Sequence, residues 1–370
     1  MMDKLIPIKT INIYKGVDLS DRLEEFQSID LTINKNIKKI LIIKWGGMGD
    51  LVMASGIMED IALAFPDSDI DLNTRPQWAP LFDNDERFFT VWGSNNNALS
   101  SFGHAFKWIK KVIGYKYDLI IDLQTNDRSR IYLALLKFFH TNCVHIIGNH
   151  AVAPYTIYPK SSIKINNPFQ MMQRTINSIG IKTQTFRPNL RVGDNVRNNA
   201  LQILKKNNLA AKAYCIFVCG SNVRGHLKRW GIKNFSELSL LIEQKYSLQV
   251  VLVGGLDDEK ECMAISERNK TIINLCNKTS LSELNEIFNQ ASFIVANDTG
   301  PAHLASNTLT PMIVITGPTD PRRVKPLGDH IVAIQPEIEC KNCYQKECNH
   351  HSCMIGLLPE EVLKCIGGIV

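Results

Sequence analysis

No stretch of this 370-residue chain approaches the ~20 consecutive apolar residues that cross a bilayer as a helix, so a helix-spanning membrane protein is not expected. There is no block of lysine or arginine of the kind that marks nucleic-acid tails, and a formal charge of +6 is a small excess for the length. No strand-like segment ends in G-x-G-x-x-G or G-x-x-x-x-G-K-[ST], which removes the dinucleotide and nucleoside-triphosphate fingerprints. The first 36 residues lack the basic start, apolar core and small-residue cleavage site of an export signal. A soluble cytoplasmic protein that does not bind nucleic acid is the resulting expectation.

With 45% hydrophobic and 21% charged residues, the chain can bury more than one core, and its length suits two domains. Of the ten cysteines, Cys143, Cys215, Cys219, Cys262 and Cys276 are scattered, as expected of small buried hydrophobes in a reducing compartment.

Short aliphatic runs recur, each followed by a turn and a helix-like stretch, which argues for parallel sheets covered by helices. In the first half Lys39-Ile-Leu-Ile-Ile43 enters Gly46-Gly-Met-Gly-Asp50, then an apolar stretch over 51–65. The segment 117–124 is a second strand running into a polar turn. In the second half the runs 214–218, 249–253, 293–296 and 312–315 end at Gly220-Ser-Asn222, Gly254-Gly255, Asn297-Asp-Thr-Gly-Pro301 and Thr316-Gly-Pro318. Strand ends of this kind form the ligand-binding edge of open α/β sheets. The junction is placed near 190, giving an extension (1–36), a first domain (37–190) and a second (191–370).

Asp50 has two readings. A carboxylate ahead of an apolar helix caps it; the same carboxylate, beside glycines that clear space, is a general base within reach of a hydroxyl. The loop Asn297-Asp-Thr-Gly-Pro-Ala-His303 is either an ordinary strand-to-helix turn with His303 packing, or an anion site built on free N–H groups. Lys228 or Arg224 could neutralise a diphosphate, or belong to a solvated basic loop. An acid near Gly254-Gly-Leu-Asp-Asp-Glu259 could bind a ribose. Residues 102–113 mix aromatics and lysines at helical intervals, fitting either contact with an anionic membrane or packing on a sheet.

Asn297-Asp-Thr-Gly-Pro-Ala-His303, Lys228-Arg-Trp230, Gly49-Asp50 and Thr316-Gly-Pro-Thr-Asp-Pro321 together resemble glycosyltransferase family nine, which includes the ADP-heptose:lipopolysaccharide heptosyltransferases, over roughly residues 38–365. The resemblance implies an α/β GT-B fold of two Rossmann-like domains facing a central cleft, with the last helix returning to the first domain. It also implies an inverting, metal-independent transfer of heptose from ADP-heptose to a lipopolysaccharide inner-core or other glycan acceptor, at or near the cytoplasmic face of the inner membrane. Asp50 then matches the base and Lys228 the donor-phosphate lysine. Asp298, Thr299, Gly300 and His303 match the donor motif, Glu259, with Asp258 close behind, the ribose acid, and Ser221 and Asn222 positions near the phosphates. Lys44 and Gly49 fall on the acceptor side.

Two departures stand out: the family often has arginine at Lys44, whose fork a lysine lacks, and proline at Gly56. Cys340, Cys343, Cys348 and Cys353 form C-x2-C-x4-C-x4-C beside His350 and His351. That is enough for a structural zinc or iron, but the spacing is no standard finger, and structural thiols or a disulfide are the alternative. A related group of protein heptosyltransferases carries an iron-binding cysteine finger with longer spacings. A transferase of the same fold using another nucleotide sugar or a protein acceptor, and a non-catalytic sugar-nucleotide-binding subunit, are the competing functions.

Overall fold

The computed structural model of the chain describes residues 6, 8, 10–16, 29–94, 102–124, 126–139, 145–160, 167–221 and 223–369. Its strands in chain order are β1 (Ile11–Lys15), β2 (Lys39–Ile43), β3 (Asp69–Thr74), β4 (Thr90–Gly93), β5 (Leu119–Asp122), β6 (His145–Ile147), β7 (Tyr214–Val218), β8 (Gln249–Leu252), β9 (Ile273–Asn274), β10 (Ile294–Asn297), β11 (Met312–Ile315) and β12 (Ile331–Pro336). Residues 19–192 form one compact unit, and residues 1–18 with 193–370 the other.

In the 19–192 unit the described strands make a parallel sheet ordered β4-β3-β2-β5-β6. Helices cover the sheet, so its central strands are apolar without alternation: Ile40 to Ile43 and Leu119 to Ile121 are all fully buried. The chain steps from β2 outward to β3 and β4, then returns to lay β5 and β6 on the other side of β2. The reversal of direction therefore falls between β2 and β5, and the loops that leave their carboxyl ends flank a crevice.

The other unit has the order β1-β12-β11-β10-β7-β8-β9, all parallel except β1, which pairs antiparallel with β12 in the register Ile13↔Ile334. Without β1, this is the 3-2-1-4-5-6 order of a Rossmann sheet. Here the reversal falls between β7 and β10. The N-terminal extension thus supplies an edge strand to the second sheet.

The last helix does not meet its expectation. Val362 and Ile366 of Pro359–Ile366 belong to the same apolar core as Phe217, Phe235 and Ile242, and Trp230 Nε1 donates to the Leu357 carbonyl just ahead of it at 2.9 Å. Its apolar side is therefore satisfied within the second unit.

Candidate active site

Asp50 stands beside the first reversal point. The helix after β2 runs Met48–Ala64, and its N-cap is Gly47, which has no side chain to accept a bond. Asp50 is the third residue inside the helix and is exposed. The capping reading is thus not met: among the described residues no hydrogen bond or ion pair reaches its carboxylate. Gly46 makes that pose accessible, since a Cβ there would lie 3.0 Å from both Cβ and Oδ2 of Asp50 and 3.4 Å from Gln124 Oε1.

Gln124, which the sequence reading passed over, leaves β5 across the reversal point and accepts the Trp45 amide at 2.8 Å. The turn is held by buried Asp122, which accepts Gln124 N at 2.9 Å and the hydroxyls of Ser129 and Tyr155 at 2.7 Å each.

Lys44 departs from its expected acceptor-side role. It is 5% exposed and donates to the Leu123 carbonyl at 2.9 Å. Burial pushes its pKa down, while the charges of Asp50 and Asp122 pull it back up. It is a cation set beneath Asp50 rather than a hand held out to an acceptor. Gly49 is half-buried in the first helical turn. Two further cations stand near this edge, Arg75, after β3, and Arg128, whose charges are close enough that Arg128 adds to the lowering that burial imposes on Arg75.

Gly56 has a local cause. A Cβ there would stand 2.4 Å from the Arg187 carbonyl oxygen, because segment 184–189 is stitched to this helix by Asp60, which accepts Gln184 N at 3.1 Å and Thr185 Oγ1 at 2.8 Å, and by Ser55 Oγ, which accepts Asn189 N at 2.8 Å.

The second reversal point joins the loops after β7 and β10. Asn297, fully buried at the end of β10, donates to the Cys219 carbonyl and accepts the Trp230 amide at 3.2 Å, fastening the two loops. Asp298 is 6% exposed; it accepts Lys228 Nζ at 2.7 Å and Thr319 Oγ1 at 2.8 Å. Its carboxylate orients a lysine and leaves that lysine two further N–H donors.

Thr299 is the N-cap of Gly300–Ala305 and its side chain makes no capping bond. Pro301 has no N–H, and Ala302 N already donates to Thr299 O at 3.2 Å. His303 is buried one turn in.

Ser221 is buried, its hydroxyl donating to the Gly225 carbonyl at 2.9 Å. Asn222 lies outside the described residues.

The two acids after β8 separate cleanly. Asp258 accepts Ser221 N at 3.2 Å, Gly255 N at 3.1 Å and Arg229 Nη2 at 2.9 Å. Burial raises its carboxyl pKa, against the Gly255 amide, Arg229 and the Ser221 amide, which lower it. Glu261, also raised by burial, is the other partner of Arg229. Gly220 exists to admit this knot: a Cβ there would fall 2.0 Å from Asp258 Oδ1. Glu259 is exposed at the start of the next helix and accepts only Asn277 Nδ2 among the described residues, at 2.8 Å.

Cys340, Cys343, Cys348, Cys353, His350 and His351 line one recess with Leu227 and Pro318, next to Lys228 and Thr319. Cys340 Sγ and His350 Nε2 are 4.0 Å apart, and His351 Nε2 donates to the Leu227 carbonyl at 2.6 Å. Among the described residues no three such side chains are gathered closely enough to hold a metal ion.

Residues 105–353 match the family model for glycosyltransferase family 9 (heptosyltransferase). Lipooligosaccharide heptosyltransferase 2 of Campylobacter jejuni is 26% identical over 328 residues, 86% of this chain and 93% of that protein. A family 9 glycosyl transferase from Veillonella parvula superposes with a TM-score of 0.78 at 18% identity, covering 90% of this chain and 97% of that one. The E. coli ADP-heptose lipopolysaccharide heptosyltransferase II does so with a TM-score of 0.68 at 21% identity, covering 90% and 98%. The likeness to these structures carries the GT-B fold. With two Rossmann-like sheets, polar loops at both reversal points and a family match over two thirds of its length, the chain belongs to glycosyltransferase family 9, the heptosyltransferases.

Proposed function

We propose that the protein transfers a heptose from ADP-heptose to the inner core of a lipopolysaccharide, with inversion at the anomeric carbon and Asp50 as the base. The observation that carries this reading is the complementary chemistry at the two reversal points: an unbonded, exposed carboxylate at one, and at the other a lysine with spare donors beside a helix start. In the reaction, Asp50 takes the proton of an acceptor hydroxyl as that oxygen attacks the anomeric carbon. The bond from that carbon to the diphosphate oxygen breaks, and ADP leaves with the electron pair. Lys228 and the backbone N–H groups of Thr299 and Gly300 stabilise the charge that grows on the departing diphosphate, an interaction stronger in the transition state than before it. Transfer on this scheme needs no divalent cation, because those donors do the neutralising. Glu259 accepts from the ribose hydroxyls, its exposure leaving lone pairs for them, and Arg75 with Arg128 receives the anionic acceptor.

The test is incubation of the purified chain with ADP-heptose and a heptose-deficient lipopolysaccharide core in the presence of a chelator, following ADP release, acceptor mass and the configuration of the new linkage. One heptose added with inverted configuration is the expected result. Transfer only from another nucleotide sugar, or only to a protein, would replace the substrate assignment, and ADP-heptose binding without transfer would replace catalysis.

A further inference from the structure

Helices Phe102–Tyr115 and Asp127–Phe139 pack together through Trp108, Ile109 and Val112 against Tyr132, Leu133 and Leu136, covering one face of the five-stranded sheet. A helix in that position normally buries one stripe and turns polar residues to water. The second helix does not: behind its buried stripe runs another apolar one, Ile131, Ala134 and Phe138 at i, i+3 and i+7. Phe138 is 81% exposed, Phe139, edge-on to it at 5.3 Å, is 58% exposed, and Phe106 on the neighbouring helix is 61% exposed.

The charges on these two helices are predominantly positive. The first helix carries Lys107, Lys110 and Lys111 and no acid; the second carries Arg128, Arg130 and Lys137 against Asp127, which already pairs with Arg130 at 2.8 Å. Lys107, Lys110 and Lys111 border a shallow depression of about 460 Å³ floored by Gly114 and Tyr115.

We propose that this outer face docks the protein on an anionic lipid bilayer, with Phe106, Ile131, Phe138 and Phe139 entering the boundary between headgroups and acyl chains and the exposed Lys107 and Lys110 on lipid phosphates. Aromatic side chains ringed by cations fit such a boundary. A second copy of this chain does not, since a symmetric contact would set the same cations against each other. Among the described residues no helix is long and apolar enough to cross a membrane, so the attachment is peripheral. The second helix starts at the sheet edge that carries Asp50 and ends roughly 18 Å away at Phe139, at 1.5 Å per residue, so docking along it keeps that edge beside the bilayer surface. The proposal rests on the reading above only in that a lipid-anchored acceptor gives the docking a purpose.

The test is co-sedimentation of the full chain with vesicles of phosphatidylcholine alone or with one quarter phosphatidylglycerol, at low and high salt. The wild type should bind the anionic vesicles and be released by salt. Phe138→Ser with Phe139→Ser should lower the partition coefficient at least tenfold, and Lys107→Glu with Lys110→Glu should abolish binding. Circular dichroism and melting temperature should stay unchanged, since all four side chains are exposed. Equal binding by the phenylalanine variant, equal binding to neutral vesicles, or a wild-type dimer that the phenylalanine variant dissolves would overturn the proposal. Heptose transfer to a deacylated, water-soluble core separates the two readings. The phenylalanine variant should match the wild type there and fall behind on acceptor embedded in vesicles. If the wild type fails on the soluble core while vesicle binding behaves as stated, the functional reading falls and the docking surface stands.

Discussion

Asp50, Asp258 and Asp298 all stand just beyond strand ends, and of these three only Asp50 has no hydrogen bond or ion pair on its oxygens among the described residues. Asp258 is held by two amides and a guanidinium, Asp298 by a lysine and a hydroxyl, whereas no described group bonds Asp50. On the proposed scheme a bare carboxylate near the leaving diphosphate would repel it, and Asp258 and Asp298 are instead engaged in orienting cations and loops. The proposed base at the other edge needs an unengaged lone pair. The two units share a sheet plan and differ in what is done with acid at its reversal point.

The largest expected effect tests the free acid. Asp50→Asn keeps the shape and removes the basicity, so kcat should drop by about 10²- to 10⁴-fold, the usual worth of a general base, while calorimetry shows donor affinity within twofold of wild type. Undiminished turnover would end the assignment. Lys228→Ala should weaken donor binding by about 10- to 100-fold, as expected for a charge-assisted hydrogen bond, and lower kcat besides, since its hold on the diphosphate tightens in the transition state. Asp298→Asn should do the same less severely, because an amide oxygen still accepts from Lys228. Were Asp298→Asn to abolish turnover with donor affinity intact, the contrast between the aspartates would be drawn in the wrong place.

The tied acids should show in stability. Arg229→Leu leaves Asp258 and Glu261 buried without their shared cation and should cost about 3 kcal/mol in denaturant unfolding, with the loss shared by no residue of the 19–192 unit in hydrogen exchange.

How much of this was legible in the sequence follows from range. Strand-turn-helix units were readable because buried parallel strands write themselves as aliphatic runs ended by glycine, and the motifs at Asp50, Lys228 and Asp298 sit on those ends. The division of labour was not readable. The internal partners of Lys44 and Asp298 lie 79 and 70 residues away, at Leu123 and Lys228, and Arg229 looks like one more basic loop residue beside Lys228. Gln124 carries no motif and acquires a role only through the pairing of β2 with β5. The placement of the last helix on the first domain rests on the resemblance alone, and no residue of its own carries it; Val362 and Ile366 find their apolar partners in Phe217, Phe235 and Ile242.

The smallest effect concerns space. Gly46→Ala would put a methyl 3.0 Å from the Asp50 carboxylate oxygen and 3.4 Å from Gln124 Oε1. Both neighbours are side-chain atoms that can yield by a few tenths of an ångström, so the fold should tolerate the change. The carboxylate would still move, and misplacing a reacting group lowers rate before affinity. A fall in kcat of about threefold to tenfold, with donor affinity and melting temperature unaltered, is the expected result. The matched change in the other unit, Gly220→Ala, forces a methyl to 2.0 Å from Asp258 Oδ1, which Ser221 N and Arg229 hold in place, and should lower the melting temperature and donor affinity together. If both glycine variants gave the same profile, the two edges would be alike in rigidity, and the distinction between a free acid and a tied one would lose its structural basis.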